Sequence, residues 1–384
     1  MLSNGSVALD NLACSQMTSI LIDARLGWGS GIGRYVANNV PLVAQRMPDV
    51  TFDLLVGEDD RAAAQKVASL ASNVRPVISP LRAFSLAEQL RLPGLASGYD
   101  LTWFTNYWVP LAFRAPFVVA VHDMIHLEPN LFPASPAKRL LSQLTFRHVA
   151  ARAKGIGFGS RFTQREFERR FDTRARSIVT GYGIDHAGYE LFDPAQQPDK
   201  KSHLLIVAAA KKHKNFKIAI EAFADAKIAS HWQLTIITPN DNLRSSIDLE
   251  GMSMAARNVV FKQGVSNSEL RTIYGETAIL LMPSLYEGFG LPLAEGLQAG
   301  AVCIASTAQS LVELGQGAEV TFVNSNDLQG WVQAIETECA RFDAGQVSPA
   351  ARAANMRHSM KFNWAGVADR TAEMLTDVLS SARQ

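Results

Sequence analysis

Ala278-Ile279-Leu280-Leu281-Met282 runs into Pro283-Ser284-Leu285 and then Tyr286-Glu287-Gly288-Phe289-Gly290-Leu291-Pro292-Leu293-Ala294-Glu295-Gly296. The first five residues are all apolar and read as a buried strand. Pro292 suits the first turn of a helix, where its missing N–H costs nothing. Gly300 suits that helix's end. The stretch is therefore strand, Gly-rich loop, short helix. Such a loop leaves backbone N–H groups free at a helix N-terminus, a place that favours anions such as phosphate. Glu287 sits before the glycines and Glu295 about one turn into the helix. A carboxylate is a poor partner for phosphate and a good acceptor for sugar hydroxyls. Phosphate grip beside hydroxyl grip points to a sugar nucleotide.

Outward from this stretch, the same rhythm recurs. Ile20-Leu21-Ile22, Phe52–Val56, Phe117–Val121 and Ile156–Phe158 read as strands in the first half. Leu204–Ala208, Leu234–Ile237, Val259–Phe261, Ile279–Met282 and Val302–Ala305 follow in the second. Strands alternating with helical patterns predict a doubly wound α/β architecture. The polar, Pro-bearing run Asp193-Pro-Ala-Gln-Gln-Pro-Asp-Lys-Lys-Ser reads as the linker between two such halves, with a ligand in the cleft between strand C-terminal ends.

The 384 residues suffice for about two domains, and the net charge of +1 gives no general attraction to nucleic acid. Cys14, Cys303 and Cys339 lack metal-ligand spacing and fit a reducing cytosol. No apolar run approaches the roughly 18–20 residues of a membrane span. Residues 1–16 lack the pattern of a secretory signal and read as a loose extension.

Three further segments carry chemistry. Gly27-Trp28-Gly29-Ser30-Gly31-Ile32-Gly33-Arg34-Tyr35 follows the first strand and opens a helix; its glycines allow a ligand to approach the backbone closely. Its spacing is not a clean dinucleotide fingerprint, and no acidic residue ends the next strand, which argues against an NAD site. Val121-His122-Asp123 ends an apolar strand, which puts His122 and Asp123 at a cleft edge. Lys211-Lys212-His213-Lys214-Asn215 lies between a strand and a helix, where cations beside helix N–H groups make a diphosphate clamp.

The segment 286–296 resembles the Glu-x7-Glu signature of the family 4 retaining glycosyltransferases, with Glu287 and Glu295 at its two ends around a Phe-Gly-Leu-Pro core. The resemblance covers most of the chain. It implies a GT-B fold: an N-terminal acceptor-side Rossmann-like domain over residues 17–192 and a C-terminal nucleotide-sugar-binding one over 201–362. Residues 363–384 would form a helix crossing back to the first domain. It also implies roles. Gly31 and Gly33 belong to an element facing the donor diphosphate and the acceptor. His122 touches the donor sugar at the reaction centre. His213-Lys214-Asn215 matches an Arg-Lys-Asn pattern, so Lys214 is the diphosphate cation. The chain has Ala208-Ala209-Ala210 where many members carry Gly and then Arg, and Lys211 is the candidate replacement. Val265 lies in a turn against the nucleobase. Phe289, Gly290 and Leu291 complete the donor loop. Gly181-Tyr182-Gly183-Ile184-Asp185 matches a cleft and hinge element in which Tyr182 stands in for the usual Asn.

Together these readings predict a retaining transferase that needs no metal and no cofactor. His122, Lys214 and Glu287 form its catalytic set. The Gly-Ile-Gly-Arg-Tyr and Val-His-Asp-x-Ile pattern resembles bacterial mannosyl- and rhamnosyltransferases of surface-polysaccharide assembly, which makes GDP-mannose the expected donor and a glycan or lipid-linked oligosaccharide the expected acceptor. The alternatives are another donor such as UDP-glucose, a sugar-nucleotide epimerase of the same fold, or a non-catalytic nucleotide-sugar-binding module. Two surfaces stay open. Residues 137–154 form an apolar, basic helix that either docks on the inner face of an anionic membrane or packs on the core with its basic face solvated. Tyr107 and Trp108, with Trp103 and Phe104, either stack on acceptor sugars or fill the core. Asp123 is an acceptor-side candidate. The expected location is the cytoplasm, with possible contact at the membrane face.

Overall fold

The computed structural model describes residues 18–26, 28–132, 135–186, 200–228, 230–239 and 258–382. Residues 1–16, Gly27 and most of the expected linker lie outside them.

The first half runs β1 (Thr18–Asp23), α1 (Gly31–Arg46), β2 (Val50–Val56), α2 (Arg61–Ala68), β3 (Val74–Ile78), α3 (Leu86–Ala96), β4 (Leu101–Phe104), β5 (Phe117–Val121), α4 (Pro136–Arg152), β6 (Gly155–Phe158), α5 (Arg161–Arg170) and β7 (Arg176–Val179). The second half runs β8 (Lys201–Val207), α6 (Phe216–Asp225), β9 (Gln233–Ile237), β10 (Val259–Lys262), α7 (Asn267–Glu276), β11 (Thr277–Met282), α8 (Leu291–Gln298), β12 (Val302–Ser306), α9 (Gln309–Gly315), β13 (Val320–Val323), α10 (Leu328–Asp343), α11 (Pro349–Ser359) and α12 (Trp364–Ala382).

Each half holds one parallel sheet. The orders are β3-β2-β1-β4-β5-β6-β7 and β10-β9-β8-β11-β12-β13. Both are doubly wound, and both reverse direction once, between β1 and β4 and between β8 and β11. Ligands of such sheets bind beyond the strand C-termini at that reversal. The Gly-rich segment follows β1, the lysine segment follows β8, and the Glu287 loop follows β11, so all three lie at reversal points.

Apolar strand faces explain the layering. Ile20, Ile22, Phe52, Leu54 and Trp103 pack beneath α1, α2 and α12, whereas Leu21, Phe104, Val119 and Val121 pack beneath α3, α4 and α5. In the second sheet α6 and α10 cover one face, and α7, α8 and α9 the other. The last helix packs against α1, β6 and β7 of the first domain. Arg46 ties the pair by pairing with Asp369 of α12.

Four strands were not anticipated: β3, β4, β7 and β13. Val74-Arg75-Pro76-Val77-Ile78 and Arg176-Ser177-Ile178-Val179 carry charges or proline that mask the apolar pattern, as edge strands permit. Leu101–Phe104 is a central strand of four residues, and that placement decides its aromatics. Tyr107 and Trp108, just beyond it, are only 8% and 5% exposed. Tyr107 stacks on Phe146 at 4.2 Å, and Trp108 Nε1 donates to Glu88 at 2.9 Å. They pack in the core under α3 and α4, which is the second of the two readings left open for them.

Candidate active site

The β11–α8 loop builds one wall. Gly290 caps the helix at φ +109, no side chain caps it, and Pro292 lies in the first turn. Gly300 at φ +66 follows its end. The uncapped start leaves the positive end of the helix dipole facing the cleft.

Glu287 is fixed beside it. One carboxylate oxygen accepts from Lys214 Nζ and from Ser284 Oγ, each at 2.7 Å, while the Glu287 carbonyl accepts from Ser310 Oγ. Lys214 ends a single 3₁₀ turn, Lys212–Lys214, and Asn215 then takes a left-handed conformation at φ 52. Asn tolerates that conformation better than most residues. Its Nδ2 also donates to the carbonyls of Ser325 and Pro283. Leu285 N donates to His213 O at 2.7 Å, which ties the lysine turn to the Glu287 loop. Lys211 is exposed at the head of the turn.

Glu295 faces the same cleft with both oxygens engaged. Arg34 Nη1 lies 2.6 Å from one, and Tyr274 OH donates to the other at 2.8 Å. Arg34 stands on α1 of the first domain, so this pair spans the two halves. The Glu295 charge raises the Arg34 pKa against the opposing effect of burial. Val265 sits in the turn before α7, after Gly264 at φ +64, and packs at the rim of the second core.

The first domain supplies the facing wall. His122 has both ring nitrogens engaged: Nε2 lies 2.7 Å from Thr105 O and Nδ1 2.5 Å from Tyr182 OH. A carbonyl only accepts, so Nε2 carries the proton and Nδ1 accepts from the tyrosine. Burial lowers the His122 pKa and keeps the ring neutral. Asp123 Oδ1 accepts from Ile125 N, which fixes the turn after β5. Gly31 lies against Leu291 across the cleft. A Cβ on Gly33 would fall 2.2 Å from Trp28 O, so that glycine serves the turn itself. Phe289 packs between Tyr182 and Phe362.

The two walls touch. Gly288 approaches His122 so closely that a Cβ there would lie 2.2 Å from His122 O. Thr163 Oγ1 donates to Gly288 O, and Met124 N donates to Tyr286 OH. Glu313 of α9 accepts from the N–H groups of Arg161 and Phe162, capping α5 of the opposite domain. Sequence reasoning passed over Arg34, Tyr274, Ser284 and Tyr286, and treated Tyr182 only as a departure from a pattern. Arg34 and Tyr286 were visible within quoted motifs; their partners were not. Among the described residues no group of His, Cys, Asp or Glu is arranged to hold a metal ion, and no helix is long and apolar enough to cross a membrane.

Residues 190–337 match the family model described as Glycosyl transferases group 1. Within residues 190–337 the chain carries a glycosyltransferase group 1 domain. The chain is similar to the O-antigen chain mannosyltransferase RfbU of Salmonella typhimurium, at 24% identity over 70% of this chain and 72% of that protein. It is similar to the GDP-mannose:cellobiosyl-diphosphopolyprenol alpha-mannosyltransferase of Komagataeibacter xylinus at 29% identity over 54% of this chain, spanning about half (52%) of that relative. It matches the serotype-specific mannosyltransferase WbdA of Escherichia coli at 25% identity over 54% of this chain, a quarter (25%) of that longer protein. In structure it is similar to sucrose-phosphate synthase from Thermosynechococcus elongatus, with TM-score 0.69, 16% identity and coverage of 95% and 100% of the two chains. Anabaena HepE in complex with UDP and glucose gives TM-score 0.69 at 17% identity, covering 94% and 100%. These likenesses make the architecture around the group 1 domain a GT-B fold.

Proposed function

We propose that the protein transfers mannose from GDP-mannose to a glycan or lipid-linked oligosaccharide, with retention at the anomeric carbon and without a metal ion. The observation that carries the reading is the meeting of Lys214 and Glu287 at 2.7 Å beside the uncapped start of α8, with Glu295 one turn along that helix.

The leaving nucleoside diphosphate gains charge as the glycosidic bond breaks. Lys214 and the positive end of the α8 dipole are preorganised to stabilise that charge, and Lys211 stands nearby to assist. Donor binding exchanges partners: phosphate takes Lys214, and Glu287 turns to sugar hydroxyls. Glu295 receives the ribose hydroxyls; an ionised carboxylate has about four acceptor sites, so Tyr274 and Arg34 leave room for them. His122 holds the wall behind the sugar in a single tautomer. No carboxylate is named as nucleophile. The acceptor hydroxyl attacks from the leaving-group face and gives its proton to the departing phosphate.

The mannosyltransferase names of three relatives support the donor, and one of those names specifies GDP-mannose and a diphosphopolyprenol-linked acceptor. The exposed leucines and the Lys and Arg residues of 137–154 support peripheral contact at the cytoplasmic membrane face. The test is transfer from GDP-mannose and UDP-glucose in excess EDTA, with the product linkage read by proton NMR. Mannose transfer that persists and yields the donor's anomeric configuration is expected. Activity abolished by EDTA and restored by Mg²⁺, or an inverted product, overturns the mechanism.

A further inference from the structure

Four residues past Asp123, at Leu127, the first domain holds a cavity of about 330 Å³ that the donor reading does not use. Leu127 and Phe171 line its apolar side, and Arg139, Gln143, Arg147 and Arg170 its polar side. On α4 the residues Arg139, Gln143 and Arg147 are spaced by four, so they form one stripe about 12 Å long. Such a volume suits a small ligand or a head group.

The charges there are unequally matched. Arg170 is paired with Glu128 at 2.5 Å and with Glu166 at 3.0 Å. Arg139 and Arg147 have no ion-pair partner among the described residues, and Arg139 Nε is buried without a hydrogen-bond partner. No Asp or Glu occurs between residues 136 and 152, whereas Lys138, Arg139, Arg147 and Arg152 do. A guanidinium N–H left unpaired out of solvent is costly, and a planar fork suits phosphate oxygens. The cavity also adjoins the cleft. Leu127 N of the cavity wall donates to Met124 O at 2.9 Å, and Met124 N donates at 3.1 Å to the hydroxyl of Tyr286, the neighbour of Glu287. Leu140, Leu141 and Leu144 stand beside the stripe, 55%, 36% and 37% exposed.

We propose that Arg139, Arg147 and Arg170 form a second anion site, distinct from the donor clamp at Lys214, that binds the phosphate or diphosphate of the acceptor. That the ligand is an acceptor rests on the transferase reading; that the site binds a diphosphate does not. The guanidinium groups take the phosphate oxygens in bidentate fashion, and the neighbouring leucines accept an apolar chain attached to them.

Calorimetry on the full chain tests this, with inorganic pyrophosphate and geranyl diphosphate as probes, alone and with saturating GDP. One saturable pyrophosphate event that survives GDP is expected. The Arg139→Gln/Arg147→Gln variant should weaken it at least tenfold while binding GDP as the parent does, which also reports an intact fold. Geranyl diphosphate at least tenfold tighter than pyrophosphate, with the excess lost in Leu140→Ser/Leu144→Ser, identifies a lipid-linked diphosphate as the source. Equal affinities identify a soluble phosphate ester at the same site. Pyrophosphate displaced by GDP, or binding indifferent to the arginine variant, overturns the site. Pyrophosphate binding as expected with no nucleotide binding overturns the transferase reading and leaves the site standing.

Discussion

Lys214 and Glu287 are both largely shielded, at 18% and 10% side-chain exposure, and meet at 2.7 Å. A cation whose binding to the β-phosphate grows as the bond breaks contributes to kcat more than to affinity. Lys214→Ala should therefore lower kcat by roughly 10²–10³, the range for losing one oxyanion donor. Lys214→Arg should recover part of that, because charge returns in a different geometry. In the proposed reading Glu295 holds the ribose, remote from the reacting carbon. Glu295→Ala should raise the donor KM by about tenfold or more, from roughly 1.5–3 kcal/mol of lost charged hydrogen bonds, with kcat little changed. Steady-state kinetics on the three variants decide this. Near-parental kcat in Lys214→Ala would remove the clamp. At this scale the placement of Lys214, Glu287 and Glu295 was legible, because short polar motifs beside glycines declare themselves. The engagement of both His122 nitrogens was not, because Thr105 and Tyr182 come from other segments of the chain.

Among the elements, the β11–α8 loop and the turn after β5 form the contact that closes the cleft. Only a residue without Cβ fits at Gly288, since the clash is with backbone at His122 O. Backbone yields less than a flexible side chain. Gly288→Ala should hold the two loops apart, and a displacement near 1 Å in a positioned site costs on the order of 10²-fold in kcat/KM. Its Tm should move by only a few degrees, because neither sheet is touched. A variant with parental kcat/KM would show that loop contact is not needed for turnover. Helix ends and the Gly-rich loops were legible in the sequence, from Pro292 through Gly300. Tyr107 and Trp108 were not, since aromatic residues after a short strand look alike whether they stack on ligand or on Phe146.

Across the whole molecule, burial sets the pH response. Burial lowers the pKa of His122, and it also pushes His148, His203 and His213 down to about 4. Their unfolded-state value is about 6.5, so between pH 6.5 and 4 the unfolded chain binds more protons than the folded one. Stability is therefore lost on acidification through that window, by at most about 1.4 kcal/mol per pH unit for each histidine. Lys200, buried with Nζ 2.6 Å from Ala299 O, falls to about 7. Between pH 7 and 10.5 it too leaves the unfolded chain with the extra proton, so its contribution favours folding as pH rises. Thermal melts should show Tm falling from pH 7 to 5 and rising from pH 7 to 9. Lys200→Met should flatten the alkaline rise and leave the acid loss intact. A parental alkaline slope in that variant would assign the rise to other groups.

Legible in the chain's local pattern were the alternation of apolar strands and helices, the glycine loops and the placement of Lys214, Glu287 and Glu295 after β8 and β11. These depend on local periodicity and on the backbone preferences of Pro, Gly and Asn, which act within a few residues. Packing of distant segments places β4 at the centre of its sheet, brings Arg34 to Glu295 and Glu313 to the start of α5, and puts Arg139 and Arg147 in one cavity with Arg170. Those partners lie in separate elements and are brought together by packing two sheets and the helices over them, so no local preference encodes them.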